Sequence, residues 1–394
     1  LAASIGVPTD TLAKLVWHIR NGDEPEWMRA IGPDTLLLVD EAGMASTADL
    51  AASITYVTFR GGTVRLIGDD QQLASVSAGG VLREVAAEAG AVTLSELHRF
   101  SNQTEAANTL LLRNGDVEAL GFLLDNQRVR VVGEAEAAHA LHAAWAADVK
   151  AGKTALMLAH SVGTVTSLNE HARAARVAAG DVDDDHTVTL RSGLPCGAGD
   201  LIVTRLNDRR TMLSSTDFVK NGDRWTVEQI RSDGSLQVRH TTLGRSVVLS
   251  ADYVRDHVDH GYASTIHGAQ GQTVDSSYAL ITGAESRQLL YVAMSRGRDT
   301  NAVFLPLGGD GDDHKAIHPD HLTPRTAVEL LESVIRRDGA QVAALTEQRT
   351  QRDPALLLAR AAERYENALR IAATETLGQE RMAEIGRASC RERV

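Results

Sequence analysis

The stretch TLLLVDEAGM, residues 35–44, runs four aliphatic residues into two adjacent acids. Leu36, Leu37, Leu38 and Val39 suit one strand driven into a core, with Asp40 and Glu41 at its carboxyl end. A helix-compatible stretch, TADLAASITYVTFR, comes next. A second apolar strand, TVRLIGDD, then closes on Gly68 and Asp69. Strand, helix and strand in this order restrict the chain to a parallel sheet covered by helices. In open sheets of that kind ligands bind beyond the carboxyl ends of the strands, where both acidic clusters fall.

The pattern continues along the chain. GGVLREVAAEAG reads as a helix and AVTLSEL as a strand leading into LHRF. A second α/β series starts near Asp116, with AHALHAAWAADVKAG helical, TALMLAH a strand and VGTVTSLNEHARAARVAAG a helix closing on Gly180. From Asp181 to Asp256 the texture changes to short alternating strands, DLIVTRLND, KNGDRWTVEQI, DGSLQVRH and GRSVVLS. Asn221-Gly222 and Asp233-Gly234 suit tight turns between them, so this segment reads as a small β-barrel inserted into the second α/β unit. The α/β pattern resumes at GYASTIHGAQGQTVDSSYALI and ends with NAVFLPL. An acidic, glycine-rich linker and charged helices over 325–383 follow.

Composition narrows the class. The 394 residues allow two or three domains, and no apolar run approaches the roughly 20 residues a membrane helix needs. Two cysteines, Cys196 and Cys390, suggest no disulfide framework and point to a reducing compartment, the cytoplasm. A net charge of −12 argues against coating nucleic acid by bulk attraction, while leaving room for a local basic groove. The chain starts at Leu1 without methionine and reads as a piece of a longer protein. Its tail, EIGRASCRERV, resembles a reading frame of a sequencing-adapter oligonucleotide and is set aside.

Several residue types point to phosphate chemistry. An acid at a strand end can hold Mg²⁺, and the next acid can orient an attacking water. Taken alone, the pair could equally cap the helix that follows. Gln72, just after GDD, offers a neutral amide to a γ-phosphate. Arg99 and Arg296 offer guanidinium forks suited to phosphate oxygens. GKT at 152–154 is no phosphate loop: Ala147 stands where its first glycine is needed, and a helix precedes where a strand should. It reads as a helix-end turn.

LLLVDEAGM, GDDQQL, LHRF, YASTIHGAQGQTVD and LLYVAMSRGRD, in this order over residues 35–305, resemble motifs II to VI of superfamily 1 DNA helicases. The barrel segment is similar in position to the SH3-like insertion of the 5′→3′ branch that includes RecD and Dda. VVLSADYVRDHVDHGYASTIHGAQG looks most like the helicase region of conjugative relaxases of the TraI/TrwC (MobF) kind. The resemblance implies two RecA-like domains with a nucleotide cleft between them, ATP and Mg²⁺ as cofactors, and single-stranded DNA and duplex–single-strand junctions as partners, with other conjugation proteins in attendance. It implies that Asp40 binds Mg²⁺ and Glu41 is the catalytic base. Gln72, Arg99 and Arg296 would contact the γ-phosphate, the two arginines from opposite sides of the cleft. Thr265 and His267 would face DNA, Gly271 and Gln272 would let the motif V backbone approach nucleotide and DNA, and Thr11 resembles a DNA-contact threonine. Thr11 is also a good helix cap.

The domain reading is then 1–115 for the first RecA-like domain, 116–185 and 256–312 for the second, 186–255 for the barrel, and 313–383 for linker and helices, with 384–394 extraneous. Motif VI has Ser295 where threonine is common, and motif III has Asp70 where proline or arginine is common. No G-x-x-x-x-G-K-[ST] occurs anywhere in the chain, so its lysine is expected upstream of Leu1. A RecD-like repair helicase and a catalytically inactive DNA-binding module are the rival readings. Residues 200–255 hold nine Lys/Arg against seven Asp/Glu; with Trp225 and Tyr253 they suit either a DNA-facing barrel or a packed barrel with a mixed surface. His314, His318 and His321, among acids and without a nearby cysteine, read as a solvated linker rather than a metal site.

Overall fold

The computed structural model describes residues 9–73, 80–94, 97–214, 217–307 and 326–340, with isolated helical positions between 348 and 372. Two compact units emerge, one built on residues up to Asp70 with 80–92, the other on 71–73 and 93–340.

The first unit opens with α1 (Leu12–Asn21), which starts where the Thr11 side chain accepts from the Lys14 N–H and stops at Gly22, left-handed at φ 65°. A short turn, α2 (Glu26–Arg29), leads to β1 (Leu36–Val39). After α3 (Thr47–Phe59), capped by Ser46, β2 (Thr63–Leu66) pairs with β1 in parallel, Leu36 opposite Thr63 through Val39 opposite Leu66. The helix α4 (Val81–Ala89) completes the unit. The two-residue period of a strand decides its burial. Leu37 and Val39 face Leu50, Ile54 and Leu66, whereas Leu36 and Leu38 lie on the other face and are 54% and 48% exposed. The aliphatic run therefore does not sink whole into a core, as its sequence suggests; only alternate side chains do.

The second unit begins with α5 (Gln103–Asn114) and α6 (Ala119–Asp125), followed by β3 (Val129–Val132), α7 (Ala137–Lys150), β4 (Ala155–Ala159) and α8 (Val162–Ala178). Residues 93–115, assigned by sequence to the first domain, gather here, because α5 packs on α6 and on a later helix, α10 (Arg287–Ala293). The segment AVTLSEL forms no strand at its described positions, 91–94 and 97. As the sequence indicates, GKT is a turn: Gly152 takes φ 82° just beyond α7, and β4 follows.

The barrel strands come next. They are β5 (Thr187–Thr189), β6 (Pro195–Gly197), β7 (Leu201–Thr204), β8 (Asp208–Met212), β9 (Phe218–Val219), β10 (Arg224–Ile230), β11 (Leu236–His240), β12 (Ser246–Leu249) and, after α9 (Ala251–His257), β13 (Val258–His260). Five of them form an antiparallel sheet in the order β12-β11-β10-β7-β13, while β5 pairs with β6 and β8 with β9. The chain then returns through β14 (Ala263–Thr265), β15 (Val274–Leu280), α10 and β16 (Gly297–Pro306) to an all-parallel sheet ordered β14-β4-β15-β16-β3. Both faces of that sheet are covered, which is why β4 is buried at every position and β15 at nearly every one. Last comes α11 (Ala327–Arg336), started by a Thr326–Glu329 capping box.

A buried polar knot fastens the barrel to the parallel sheet. Asp200, 0% exposed, accepts from Arg173 Nε of α8 at 3.0 Å, from the Gly197 N–H at 2.8 Å and from the Tyr262 hydroxyl at 2.6 Å. Burial alone would raise the Asp200 pKa, but neighbouring His260, the Tyr262 hydroxyl and the Gly197 N–H hold it below the usual carboxylate value. Gly261, between β13 and Tyr262, has no room for a side chain: a Cβ would fall 2.9 Å from the Ile202 carbonyl oxygen. Cys196, Asp200 and His260 bring metal-ligating atoms within 4.8 Å of one another. The Arg173 guanidinium already gives Asp200 the positive partner that a cation would supply.

Candidate active-site residues

Asp40 and Glu41 follow β1 in the first unit, Asp40 exposed and Glu41 half-buried. Glu41 takes φ 50° and ψ 40°, a left-handed backbone seldom adopted without glycine. Strain of this kind costs about 1–3 kcal/mol and persists only where the surroundings impose it. Here the Glu41 N–H donates to Asp40 Oδ1 at 3.0 Å and the Ala42 N–H to the Ile67 carbonyl at 2.9 Å. Gly68, two residues past β2, approaches so closely that a Cβ would lie 3.2 Å from the Ala42 nitrogen. The glycine of GDD thus permits the acid turn. Asp70 serves through its backbone: its carbonyl accepts from Arg83 Nη2 at 2.9 Å, tying this loop to α4.

The remaining predicted residues, Thr11 apart, belong to the second unit. Gln72 is followed by Leu73, buried in that unit's core. Arg296, 1% exposed, occupies the turn between α10 and β16. Its Nε donates to the Val292 carbonyl at 2.9 Å, its Nη2 to Ser295 Oγ at 2.7 Å, and its Nη1 reaches the Gln272 carbonyl at 3.5 Å. Arg99 donates from Nη1 to the Ser295 carbonyl. Arg99 and Arg296 therefore belong to one body and one hydrogen-bonded neighbourhood, not to two opposed sides. The reason is that the segment after Arg99 packs as α5 against α10.

Motif V turns sharply after β14. Thr265 Oγ1 accepts from the Gly268 N–H at 3.0 Å, and Gln272 Nε2 donates to the Gly268 carbonyl at 3.0 Å. Gly271 needs its φ of 80°, yet a Cβ there would meet nothing within 4 Å. Glycine at this position answers a backbone demand within the described fold. Burial, then the neighbouring His160, lowers the His267 pKa below the ordinary imidazole value.

Residues 1–134 match the model of a family described as an AAA domain, and residues 170–259 match that of the Rv2311 SH3-like barrel domain. A probable conjugal transfer protein TraA of Sinorhizobium fredii is 32% identical over 311 residues, 77% of this chain and 27% of that protein. The RecD subunit of the RecBCD enzyme of Mycobacterium tuberculosis is 29% identical over 286 residues, 68% of this chain and 48% of RecD. Over these stretches the chain is similar to conjugal transfer TraA proteins and to RecD. It spans about a quarter of the length of the TraA relatives it matches. Among solved structures, the Pif1 helicase of Candida albicans aligns over 76% of this chain and 77% of its own, at 15% identity and a TM-score of 0.49.

Other parts of the chain are reassigned by the structure. Trp225 is 0% exposed and Tyr253 8%, both in the barrel core with Val238 and Leu249, so neither offers an aromatic face for base stacking. The packed-barrel reading holds. His314, His318 and His321 lie outside the described residues, as does the linker at 313–325. Sequence reasoning missed the Asp200–Arg173–Tyr262 knot; a Gly-Asp pair opening LIVT, like that of GDD, was its one local sign. No helix among the described residues is long and apolar enough to cross a membrane.

Proposed function

We propose that the protein containing this chain is an ATP-driven 5′→3′ DNA helicase, the motor of a conjugative relaxase, acting on single-stranded DNA and duplex–single-strand junctions in the bacterial cytoplasm. The observation that carries this reading is the forced turn at the end of β1. It sets an exposed carboxylate, Asp40, beside a half-buried one, Glu41, at the strand edge where nucleotides bind in open sheets. Asp40 is an oxygen donor of the type Mg²⁺ takes, and when bound the ion neutralises phosphate charge. Glu41 orients water and receives its proton. Arg99 and Arg296 supply fixed positive charge to the γ-phosphate, and Gln72 its amide. Thr265 and His267 face single-stranded DNA, Gly271 and Gln272 let their loop backbone approach nucleotide and DNA, and the Thr11 role at the start of α1 is carried by the same resemblance.

The transfer role rests on similarity to TraA proteins over three quarters of the chain. The 5′→3′ polarity is supported by the inserted barrel's resemblance to that of the RecD and Dda branch. The test is Glu41→Gln in the full-length protein. DNA-stimulated ATP hydrolysis should fall by about 100-fold or more, the scale of removing a general base. Binding to a dT oligonucleotide should stay within about 2-fold, because no charge-bearing DNA contact is touched. Hydrolysis that survives the substitution removes Glu41 as the base.

A further inference from the structure

The turn that carries Arg296 is not held by ordinary sheet pairing. Between β15 and β16 the register slips, Val274 facing Gly297 but Ser276 facing Thr300, so β16 bulges at Arg298 and Asp299. Gly297 is required there, since a Cβ would come 2.2 Å from the Thr300 carbonyl oxygen. The neck of the bulge is closed by one side chain. Asn301, 0% exposed, accepts from the Gly297 N–H at 2.7 Å and donates to the Gly297 carbonyl at 3.0 Å. The same Nδ2 reaches Glu105 Oε1 on α5 at 3.1 Å. Glu105 is 3% exposed, and its other oxygen takes Arg128 Nη2 at 2.5 Å, which also approaches the Asp299 carbonyl at 3.2 Å.

Further bonds run alongside. The Ser101 N–H donates to the Arg298 carbonyl at 2.9 Å and its hydroxyl to Asp299 Oδ1 at 2.6 Å, while Arg99 holds the Ser295 carbonyl. Residues 99–105 are thus laced onto residues 295–301 along their whole length. A buried carboxylate and amide with a partly buried guanidinium are a poor choice for stability alone, because apolar residues of similar volume would often serve as well. They are a good choice for holding one geometry.

We propose that Asn301 and Glu105 are positioning residues that join the Arg99 and Arg296 segments into a single block, so that the two guanidinium groups keep a constant spacing through the ATPase cycle. This rests on the helicase reading and adds to it the means by which the arginines are held. Positioned charge stabilises a transition state only where it need not reorganise, and a displacement near 1 Å can cost about 100-fold in rate.

The experiment uses the full-length protein with Asn301→Ala, Asn301→Asp, and the pair Asn301→Asp with Glu105→Gln, which restores the original net charge. Three readouts are taken: kcat and KM for ATP, hydrogen exchange at the Gly297 and Ser101 amides, and binding to a dT oligonucleotide. Asn301→Asp sets two carboxylates against each other. It should lower kcat by about 100-fold with KM within roughly 3-fold, as for an interaction that matters in the transition state. Exchange at Gly297 and Ser101 should quicken by about 10-fold or more. Adding Glu105→Gln should bring kcat back to within about 10-fold of the unaltered protein, a recovery that generic loss of packing would not show. DNA binding should not change. The proposal is overturned if Asn301→Ala speeds exchange but leaves kcat intact, or if the charge-restoring pair is no better than Asn301→Asp. An unaltered protein without DNA-stimulated ATP hydrolysis would instead sink the helicase reading, and the block would then stand or fall on whether exchange at Ser101 responds to Asn301.

Discussion

Replacing Asp200 by alanine should loosen the barrel from the parallel sheet and destabilise the second unit. The side chain is fully buried and takes three donors: Arg173 Nε at 3.0 Å, the Tyr262 hydroxyl at 2.6 Å and the Gly197 N–H at 2.8 Å. Removing one partner of a buried ion pair costs about 3–5 kcal/mol. Arg173 keeps a second carboxylate, Asp184, at 2.7 Å, which trims that figure. The orphaned hydroxyl and amide restore it, at about 1–3 kcal/mol for each buried group left without a partner. A loss near 4 kcal/mol follows, about 1 M or more in urea midpoint for a slope near 3 kcal/mol per M. Asp200→Asn keeps the shape and acceptor oxygen but not the charge, and should cost about half as much. The assay is urea unfolding followed by fluorescence, because Trp225 is in the barrel core and Trp145, against Tyr262, is in the sheet layer. Both substitutions leaving the midpoint within about 0.2 M would refute the idea that this knot carries the joint.

The 394-residue chain alone should hydrolyse no ATP, because it contains no phosphate loop; phosphate release that Glu41→Gln abolishes would contradict this. Stability should fall in mild acid. Burial and the neighbouring His171 and His139 lower the His142 pKa, and burial and His160 lower that of His267. The unfolded chain therefore binds protons first, so stability is complete above the ordinary value of 6.5 and declines as pH drops through the lower folded values. Urea midpoints at pH 7.5 and 5 check the sign, and His142→Asn should flatten the difference. Trp225→Phe should leave dT-oligonucleotide affinity within about 2-fold, since its ring is core rather than stacking platform; a tenfold loss with the fold intact would reverse that assignment. Thr11→Ala should cost about 1 kcal/mol of first-unit stability through the lost cap of α1, read from its thermal midpoint.

What a short window of residues can specify was legible without coordinates. Strand period, helix caps, the Asn221-Gly222 and Asp233-Gly234 turns and the order of the motifs are local patterns, and each describes the chain near itself. The acid pair, Gln72 and both arginines were singled out by residue type and by their place in the motifs, their roles by resemblance. Burial was decided elsewhere. LLLV reads as a uniformly apolar run, yet only alternate residues meet α3. Trp225 and nine basic residues suited a DNA face and a packed barrel equally, and only the fold shows the tryptophan closing a core. The long-range partnerships were invisible for the same physical reason. Asp200 with Arg173 and Tyr262, and Glu105 with Asn301 nearly two hundred positions away, exist only where folding brings distant segments within hydrogen-bond reach. Sequence named the candidate groups; tertiary structure decided which of them share a body.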